Sequence, residues 1–321
     1  MSNSKKILIT GGTGFIGQHL IALWKQQHQL YVLSRKKNIT IDGVEILNGD
    51  LSTIHQHKEI LTEIDFVINI AGDKKNISLM QATNVEGLRH LLEAISEFPT
   101  KVLHVSSAGI YGIEQQELDE ITEETICLPN NTYEKSKFEA EIILKAWGDR
   151  HTDRYIAIRP SNVFGPLDPS NKLLTLCKAL QSGKFFFIDK GALVNYVSVT
   201  QVVHAIDALI KTNQFENSFF NVNAPMTIAH FIELLRTHLG NTPEPKTIPG
   251  LLKPLVFIAA KFFDLVPKRL QFFNSGKYRE LTSHKHYNVQ KLERFISFEH
   301  TKDLEAGIEN HIENFKKQGL L

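Results

Sequence analysis

A tyrosine and a lysine four residues apart form the most reactive pair in the sequence. Tyr133 and Lys137 would stand one turn apart on a predicted helix over 132–147, so their side chains share one face. A lysine ammonium close to a phenol stabilises the phenolate and lowers the phenol pKa, which makes the tyrosine a usable general acid and base. Ser106 and Ser107 end a predicted strand, at the edge where open α/β sheets bind ligands. A hydroxyl there could hydrogen-bond a reacting oxygen, so the sequence predicts proton transfer at this edge.

A glycine-rich turn follows the first predicted strand and opens the first predicted helix. Its sequence TGGTGFIG, residues 10–17, satisfies the pattern G-x-G-x-x-G through its second, third and fourth glycines. Glycine permits a tight turn, a close approach to a pyrophosphate and close packing of helix on strand, and the helix N-terminus offers free N–H groups to phosphates. The turn therefore predicts a dinucleotide site. The expected contacts are Gly11, Thr13, Gly14, Phe15, Ile16 and Gly17.

The end of the second predicted strand indicates which dinucleotide to expect. An acidic residue about 20 residues after the turn would bind the ribose 2′-hydroxyl and repel a 2′-phosphate. This chain has Ser34, Arg35 and Lys36 there, and no acidic residue. Two cations and a hydroxyl can neutralise and hydrogen-bond a phosphate. The segment favours NADP, with NAD as the alternative.

The composition is that of a globular protein and excludes several other classes. Of the 321 residues, 42% are hydrophobic and 22% charged, and 36 Lys and Arg residues balance 35 Asp and Glu residues. A disordered or fibrous chain is excluded, and no bulk charge favours nucleic acid. Cys127 and Cys177 form neither a zinc motif nor a disulfide framework, and the His55/His57 and His284/His286 pairs lack a third ligand, so we expect no metal.

Short apolar runs alternate with segments of helical period in the first half of the chain. We predict strands at 6–10, 30–34, 44–47, 65–71, 102–106 and 155–159, and helices at 14–27, 53–62, 78–97 and 132–147. Strands that are apolar on both faces and separated by helices belong to a parallel sheet covered on both sides. The pattern predicts an α/β fold with a doubly wound parallel sheet.

The pattern changes after residue 160. A loop composition over 162–171 is followed by a predicted helix at 172–181, strands at 184–188 and 193–197, a helix at 200–212, a strand at 219–222 and a helix at 228–239. We predict a dinucleotide-binding domain over 1–165 and a smaller mixed α/β substrate domain over 166–321, with 190–212 returning to the first domain.

No segment approaches the roughly 20 apolar residues of a membrane span. The nearest candidate, 251–266, is interrupted by Lys253, Pro254, Lys261 and Asp264. We expect a helix that packs its Phe and Leu side chains inward. The flanking Lys268 and Arg269 leave a helix at a membrane surface as the alternative. The N-terminal apolar run is too short for a signal peptide, so a cytoplasmic location is expected.

Together these motifs resemble the extended short-chain dehydrogenase/reductase superfamily, in its NAD(P)-dependent epimerase/dehydratase branch. The resemblance covers residues 5–208. Beyond the turn and the Tyr133/Lys137 pair, it includes GDL at 49–51, NIAG at 69–72, NVEG at 84–87, SSAGIYG at 106–112 and RPSNVFGP at 159–166. It implies a Rossmann fold for the first domain and hydride exchange with a nicotinamide.

The same resemblance assigns roles to individual residues. It implies that Ser107 orients the reacting oxygen and that Tyr133 exchanges its proton. Lys137 would also hold the nicotinamide ribose, and Asn84 would support the proton relay, while Tyr111 is expected to be part of the wall. Further cofactor contacts are implied at Asp50 and Leu51 around the adenine, at Ala71 and Gly72 along the cofactor, and at Pro160 and Val163 near the nicotinamide.

The implied substrate is a nucleotide-linked sugar, contacted by Ser106 and Asn162. In sugar-nucleotide members of this family, the residue that corresponds to Asn162 and the loop after it bind the diphosphate. Many relatives carry an arginine where this chain has Asn195, which puts diphosphate recognition in doubt. Other cations that could replace it are Lys74, Lys75, Lys172, Lys190 and Arg279.

Four functions stay open, in this order: reduction of a nucleotide 4-keto sugar, 4-epimerisation of a nucleotide sugar, reduction of an apolar ketone of the steroid or flavonoid kind, and a non-catalytic NADP-binding sensor. The basic segment at 34–36 suits net reduction better than internal recycling of the cofactor. The intact serine, tyrosine and lysine argue against the sensor. We expect a small-molecule substrate and no nucleic acid, and leave a homodimer open.

Overall fold

The computed structural model of the chain describes residues 4–74, 76–265, 273–298 and 300–321. The strands are β1 (Lys6–Thr10), β2 (Gln29–Ser34), β3 (Val44–Asn48), β4 (Phe66–Asn69), β5 (Lys101–Val105), β6 (Glu120–Ile121), β7 (Tyr155–Pro160), β8 (Asn162–Phe164), β9 (Phe186–Phe187), β10 (Leu193–Ser198), β11 (Ser218–Val222), β12 (Ala224–Thr227), β13 (Lys246–Thr247) and β14 (His286–Tyr287).

The α-helices are α1 (Phe15–Trp24), α2 (Lys58–Leu61), α3 (Ile77–Met80), α4 (Gly87–Ile95), α5 (Thr132–Gly148), α6 (Lys172–Gln181), α7 (Val199–Thr212), α8 (Ile228–Leu239), α9 (Lys253–Phe263), α10 (Ser275–Glu280), α11 (Gln290–Phe295) and α12 (His300–Lys317). A π-helical stretch, Gln81–Glu86, joins α3 to α4. Short 3-10 helices lie at Leu51–His57, Ala108–Tyr111, Ile113–Gln115 and Gly250–Leu252.

The centre of the molecule is a seven-stranded sheet in the order β11-β7-β5-β4-β1-β2-β3. All its neighbouring strands run parallel. Alternate residues of β1 pack on opposite faces of the sheet: Ile7 and Ile9 pack with α1 and α7, and Leu8 packs with α4 and α5. The doubly wound α/β prediction is confirmed, because a parallel sheet buried on both faces requires strands that are apolar on both sides.

A second, smaller core lies beside this sheet. The three-stranded sheet β12-β10-β8 packs with α6, α8 and α12 around Phe164, Leu174, Phe231 and Leu304. The chain returns to the central sheet twice, through α7 and through β11. The Trp24 indole on α1 donates to Asp207 on α7 at 2.8 Å, which fastens the first of these returns.

Three local expectations differ from the structure. The predicted loop at 162–171 contains β8, which pairs in parallel with β10 and so moves the chain from one sheet to the other directly after β7. The strand predicted at 184–188 is reduced to β9, because this stretch pairs only with the two residues of β13. The helix predicted at 53–62 begins as the 3-10 helix Leu51–His57, capped by the Asp50 side chain.

The expected inward packing of the 251–266 stretch is wrong. Leu251, Phe262 and Leu265 are 93%, 68% and 83% exposed, whereas Ala260 on the opposite side of α9 is buried. The helix therefore turns most of its large apolar side chains outward. Residue 266 and the flanking Lys268 and Arg269 lie outside the described residues. Within the described ranges, no helix has the length and hydropathy needed to cross a membrane.

Candidate active site

The glycine turn has the close contacts that its sequence requires. The Gly14 N–H donates to the Gly11 carbonyl at 2.9 Å, which closes the turn. Gly11 has a φ of +74°, and a Cβ there would lie 2.7 Å from the Ala71 backbone nitrogen. Gly17 lies behind the turn, where a Cβ would be 2.5 Å from the Gly11 oxygen. Gly17 thus lets α1 pack closely against the turn. It does not line the groove that is described in the next paragraph.

A groove of about 540 Å³ runs along the carboxyl ends of β1, β2 and β4. Gly14, at the N-cap of α1, makes no side-chain capping hydrogen bond, so the first N–H groups of the helix face the groove without an internal side-chain partner. Such a helix N-terminus attracts phosphate. The predicted cofactor residues that line the groove are Gly11, Thr13, Gly14, Phe15, Ile16, Ser34, Arg35, Lys36, Asp50, Leu51, Ala71 and Gly72.

The basic end of β2 forms one wall of this groove. Arg35 and Lys36 are exposed, and the buried Ser34 hydroxyl accepts from the Lys36 N–H at 3.2 Å. Asp50 faces the same groove, but its carboxylate caps the following 3-10 helix. A hydrogen bond from Ser52 and, further down in importance, the nearby Arg35 charge lower the pKa of Asp50. The carboxylate is therefore already engaged at this wall.

A second cavity, of about 390 Å³, meets the groove at Phe15, Ile16, Ile70, Gly72 and Lys74, which line both. The other predicted site residues that line it are Ser106, Ser107, Tyr133, Lys137, Pro160, Asn162 and Val163. The residues with acid–base chemistry thus line the second cavity, and one of them, Lys137, lies beside Gly72, where the two cavities join. This arrangement would set one molecule in the groove end to end with another in the second cavity.

The N-terminus of α5 positions the tyrosine and the lysine. The Asn131 side chain accepts from the Glu134 N–H at 3.0 Å, and the Glu134 carboxylate accepts in return from the N–H groups before the helix. This capping box fixes Tyr133 in the first turn and Lys137 one turn later. The buried Lys137 ammonium donates to the Val105 carbonyl at 2.9 Å, which ties α5 to the end of β5.

Burial controls the protonation of both side chains. It lowers the pKa of Lys137 to about 8, with the Glu141 charge acting in the opposite direction. It also raises the pKa of Tyr133, so the lowering predicted from the Lys137 charge is wrong for the protein without ligands; the hydrogen bond with Ser107, and not the Lys137 charge, partly offsets the rise. In the protein without ligands, the phenol is therefore protonated at neutral pH and in contact with the serine. A protonated phenol in this place can act as a proton donor.

Both serines at the end of β5 are built into the site. Ser107 caps the 3-10 helix Ala108–Tyr111, and its hydroxyl accepts from the Gly109 N–H at 3.2 Å. The Ser106 hydroxyl is buried and has no hydrogen-bond partner among the described residues. A buried polar group normally has a partner. Ser106 is therefore placed to receive one from a molecule in the second cavity.

Asn84 lies in the π-helical stretch, which is a common feature of functional sites. Its amide accepts from the Asp73 N–H at 2.8 Å and donates to the Asp73 carbonyl and to the Ser136 hydroxyl, both at 2.9 Å. A Cβ on Gly72 would lie 3.2 Å from the Asn84 oxygen and 3.3 Å from the Lys137 nitrogen. The Asn84 side chain thus fixes the backbone beside the lysine, as a positioning residue.

Sequence reasoning missed a buried polar layer behind the site. The Thr10 hydroxyl donates to the Asn69 oxygen at 2.5 Å, and the Asn69 amide meets His104 Nδ1 at 2.9 Å. Burial, and then the Lys137 charge, hold the pKa of His104 well below its usual value, so the imidazole is neutral. These three residues lie in strands that are otherwise apolar. The feature of the sequence that could have revealed the layer is the presence of polar residues at strand positions that should be apolar.

Tyr111 and Arg159 form a second buried network below the second cavity. The Tyr111 hydroxyl donates to Asn221 at 2.8 Å and accepts from Arg159 at 2.6 Å, and Arg159 pairs with Glu141 at 2.7 Å. Tyr111 is completely buried, and burial raises its pKa. It supports the wall and does not line either cavity at the site.

The structure separates the cations that could bind a diphosphate into those that line the second cavity and those that do not. Asn195 is engaged with the Lys285 carbonyl and the Asn223 side chain, so it does not replace the missing arginine. Lys74 and Lys172 line the second cavity, whereas Lys190 and Arg279 do not, and Lys75 lies outside the described residues. Sequence reasoning had not singled out Asp168 and Ser170, two further polar residues that line the cavity from the loop before α6.

The histidine pairs lie away from this site. His57 hydrogen-bonds the Asn48 carbonyl at 3.0 Å and His284 pairs with Asp189 at 3.2 Å. Among the residues that the structure describes, no three His, Cys, Asp or Glu side chains are grouped closely enough to hold a metal ion.

Comparisons with known proteins agree with this geometry. The family model described as "NAD dependent epimerase/dehydratase family" matches residues 7–223. The chain is 27% identical over 208 residues to the N-acetyl-alpha-D-glucosaminyl-diphospho-ditrans,octacis-undecaprenol 4-epimerase of Escherichia coli O157:H7, a match that covers 63% of this chain and 61% of the relative. It is 25% identical over 187 residues to the dTDP-glucose 4,6-dehydratase of Mycobacterium tuberculosis, covering 53% and 56%. These matches span less than two thirds of either relative.

Other relatives match along nearly their whole length. The sterol-4-alpha-carboxylate 3-dehydrogenase, decarboxylating, of Saccharomyces cerevisiae is 26% identical over 348 residues, covering 96% of this chain and 97% of the relative. Among solved structures, a putative epimerase from Burkholderia cenocepacia has a TM-score of 0.73 at 20% identity, covering 98% of this chain and 99% of the other. The dTDP-glucose 4,6-dehydratase of Bacillus anthracis, solved with NAD, has a TM-score of 0.72 at 21% identity, covering 99% and 100%. At these identities the solved structures show a shared fold.

Proposed function

The chain belongs to the NAD dependent epimerase/dehydratase family, and we propose that it reduces the 4-keto group of a nucleotide-linked sugar with a nicotinamide cofactor. The observation that carries the proposal is that Ser107, Tyr133 and Lys137 line the second cavity, which joins the groove at Gly72 beside Lys137. A dinucleotide lying in the groove from α1 would bring its nicotinamide end to this junction. A sugar in the second cavity would meet it there.

The residues of the junction handle the proton. The protonated Tyr133 phenol donates a proton to the keto oxygen as the carbon is reduced, and Ser107, already hydrogen-bonded to the phenol, holds that oxygen in place. Lys137, one turn away, stabilises the phenolate that remains and can hold a ribose hydroxyl. The nicotinamide, when bound, supplies the hydride. Asn84 keeps the backbone beside Lys137 in position.

Two lysines support a diphosphate-linked substrate over an apolar ketone. Lys74 and Lys172 line the second cavity, and Asn162 lies at its edge with its amide donating to the Asn195 carbonyl at 3.1 Å. Two cations beside a substrate cavity favour an anionic ligand. The full-length similarity to a sterol dehydrogenase keeps reduction of an apolar ketone as a lesser candidate.

The basic end of β2 supports NADP as the cofactor. Arg35 and Lys36 stand exposed at the groove wall, where a 2′-phosphate would lie, and the neighbouring Asp50 carboxylate is engaged by Ser52. Solved relatives contain NAD, so NAD is the alternative.

Arg35→Asp tests this assignment. Loss of a charge-assisted phosphate contact costs on the order of 1.5–3 kcal/mol, so NADPH should bind on the order of tenfold or more weakly, while NADH binding changes little. The measurement is calorimetric titration of both cofactors into wild type and variant, with Lys37→Asp, which lies outside the groove lining, as the control. An unchanged NADPH/NADH preference would show that this segment does not read the 2′-phosphate.

Epimerisation of a nucleotide sugar is the second candidate, favoured by the 4-epimerase similarity. An epimerase oxidises and re-reduces the same carbon, so it consumes no cofactor overall. The distinguishing measurement follows nicotinamide absorbance and products when a nucleotide 4-keto sugar is supplied with NADPH. We expect one NADPH to be consumed for each sugar reduced. Interconversion of two hexose epimers without net loss of NADPH would replace reduction by epimerisation.

A further inference from the structure

The outward face of α9 and the turn before it is a continuous apolar surface. Leu251, Leu255, Ile258, Phe262 and Leu265 recur every three or four residues, so they lie on one side of the helix, and each is more than half exposed. They extend over about 20 Å of helix rise. We call this set the α9 face. A soluble surface does not normally leave so long a row of large apolar side chains in water.

The other side of α9 is anchored to the protein. The Phe257 ring packs on Tyr278 of α10 with 5.0 Å between the ring centroids, and Lys253 pairs with Asp189 at 3.9 Å. Ala260 is fully buried. The helix is therefore amphipathic in its fixed position, and its apolar face points outward because the opposite face is the one that packs.

Cations outnumber acidic residues in the segment that carries the α9 face. The described residues of 246–285 include six Lys and Arg residues and two acidic residues, in a chain whose 36 basic and 35 acidic residues otherwise balance. Lys261 lies over the Phe257 ring at 5.0 Å. A hydrogen bond from Ser275, with the charges of Arg279 and Lys261 adding to it, lowers the pKa of Asp264. Lys261 thus lies in the last turn of α9, and Arg279 lies on α10, whose Tyr278 packs on Phe257 of α9.

The anchored side of α9 is linked to β10, a strand that borders the second cavity. Asp189, the partner of Lys253, lies just before β10, and Tyr196 of β10 lines that cavity. The segment after α10 contacts the same strand, because the Leu193 N–H donates to the Ser283 carbonyl at 2.7 Å.

We propose that the α9 face docks on the surface of a lipid bilayer with anionic headgroups. The apolar row would enter the boundary between headgroups and acyl chains, and Lys261, Arg279 and the neighbouring cations would meet the headgroup charge. A protein partner is less favoured, because lysine is depleted in protein interfaces and is enriched around this face. The proposal does not depend on which sugar or ketone the site reduces.

The test is sedimentation of the full chain with vesicles of phosphatidylcholine alone and of phosphatidylcholine and phosphatidylglycerol in equal parts. We expect binding to the mixed vesicles, weaker binding to the neutral ones, and weakening with added salt. The double variant Ile258→Glu/Phe262→Glu should bind the mixed vesicles on the order of tenfold or more weakly, because two apolar side chains no longer leave water. Ile126→Glu, which changes an exposed isoleucine elsewhere, should bind as wild type does.

Circular dichroism and NADPH titration of each variant separate lost docking from lost folding, since α9 lies outside both cavities. Equal sedimentation with and without mixed vesicles would overturn the proposal. A second result would also overturn it: wild type forms a dimer in sedimentation equilibrium, the double variant does not, and wild type does not bind vesicles. A second copy of the chain would then cover the α9 face.

Discussion

At the scale of single residues, the site places a lysine in an environment that is costly for its charge. Lys137 is buried between α5 and β5, and its pKa falls to about 8 because burial disfavours the ammonium. The Val105 carbonyl and the Glu141 charge compensate only in part. A residue kept for chemistry at the expense of stability is common in active sites.

Lys137→Met should therefore raise stability at pH 7. The folded protein holds this proton with a pKa of about 8 and the unfolded chain with one of 10.5. The charged side chain thus lowers stability at pH 7, and wild type regains that stability as the pH rises from 8 to 10.5. After the loss of the hydrogen bond to Val105 is subtracted, we expect the variant to gain on the order of 1–2 kcal/mol in its free energy of unfolding at pH 7. This gain should shrink as the pH rises toward 10.5.

Thermal unfolding across this pH range measures the effect, with Lys135→Met as a control at an exposed position of the same helix. If Lys137→Met were less stable than wild type at pH 7 while the Lys135→Met control was unaffected, the result would contradict the claim that the buried charge lowers stability.

At the scale of elements, the glycine turn shows how tightly α1 is set against the sheet. A Cβ on Gly17 would lie 2.5 Å from the Gly11 oxygen and 2.6 Å from the Gly12 Cα, both backbone atoms that cannot rotate away. The helix N-terminus would have to move away from the turn to admit a methyl group. Phosphate affinity depends on this N-terminus, so the two effects are linked.

Gly17→Ala should weaken cofactor binding on the order of tenfold and lower the melting temperature, since overpacking of this kind costs about 1–3 kcal/mol. Calorimetric titration with NADPH and thermal unfolding give both values. Gly276→Ala is the control, because that helical glycine meets no atom closer than 3.4 Å. Wild-type affinity in the Gly17 variant would show that the turn tolerates displacement.

The elements that could be predicted from sequence are those in which burial sets the spacing of the apolar residues. The strands of the central sheet follow from apolar runs such as β1, and the Tyr133/Lys137 pair follows from helical spacing. The π-helical placement of Asn84 could not be predicted, because it depends on contacts with Asp73 and Ser136 from other segments. The outward face of α9 has the same hydrophobic spacing as an inward one, so periodicity alone could not orient it.

At the scale of the whole molecule, two cores meet around one junction of cavities. We propose that residues 1–165 form the dinucleotide-binding domain and that 166–321 form the substrate domain. Of the expected return at 190–212, α7 packs on the first domain while β10 belongs to the smaller sheet, and β11 adds a further return. The packing of α7 against α1 and the pairing of β11 with β7 support this division. The Tyr133 side chain lines the second cavity one helical turn from Lys137, which lies beside the join of the two cavities.

The central claim is that the Tyr133 phenol transfers the proton during hydride exchange, and turnover by Tyr133→Phe tests it most directly. The assay supplies a nucleotide 4-keto sugar and NADPH and follows nicotinamide absorbance, with calorimetric titration of NADPH to establish that the variant still binds cofactor. We predict unchanged folding and cofactor affinity with a rate lower by on the order of 10²–10⁴, the usual cost of removing a general acid. A Tyr133→Phe protein that turns over at the wild-type rate would contradict the account.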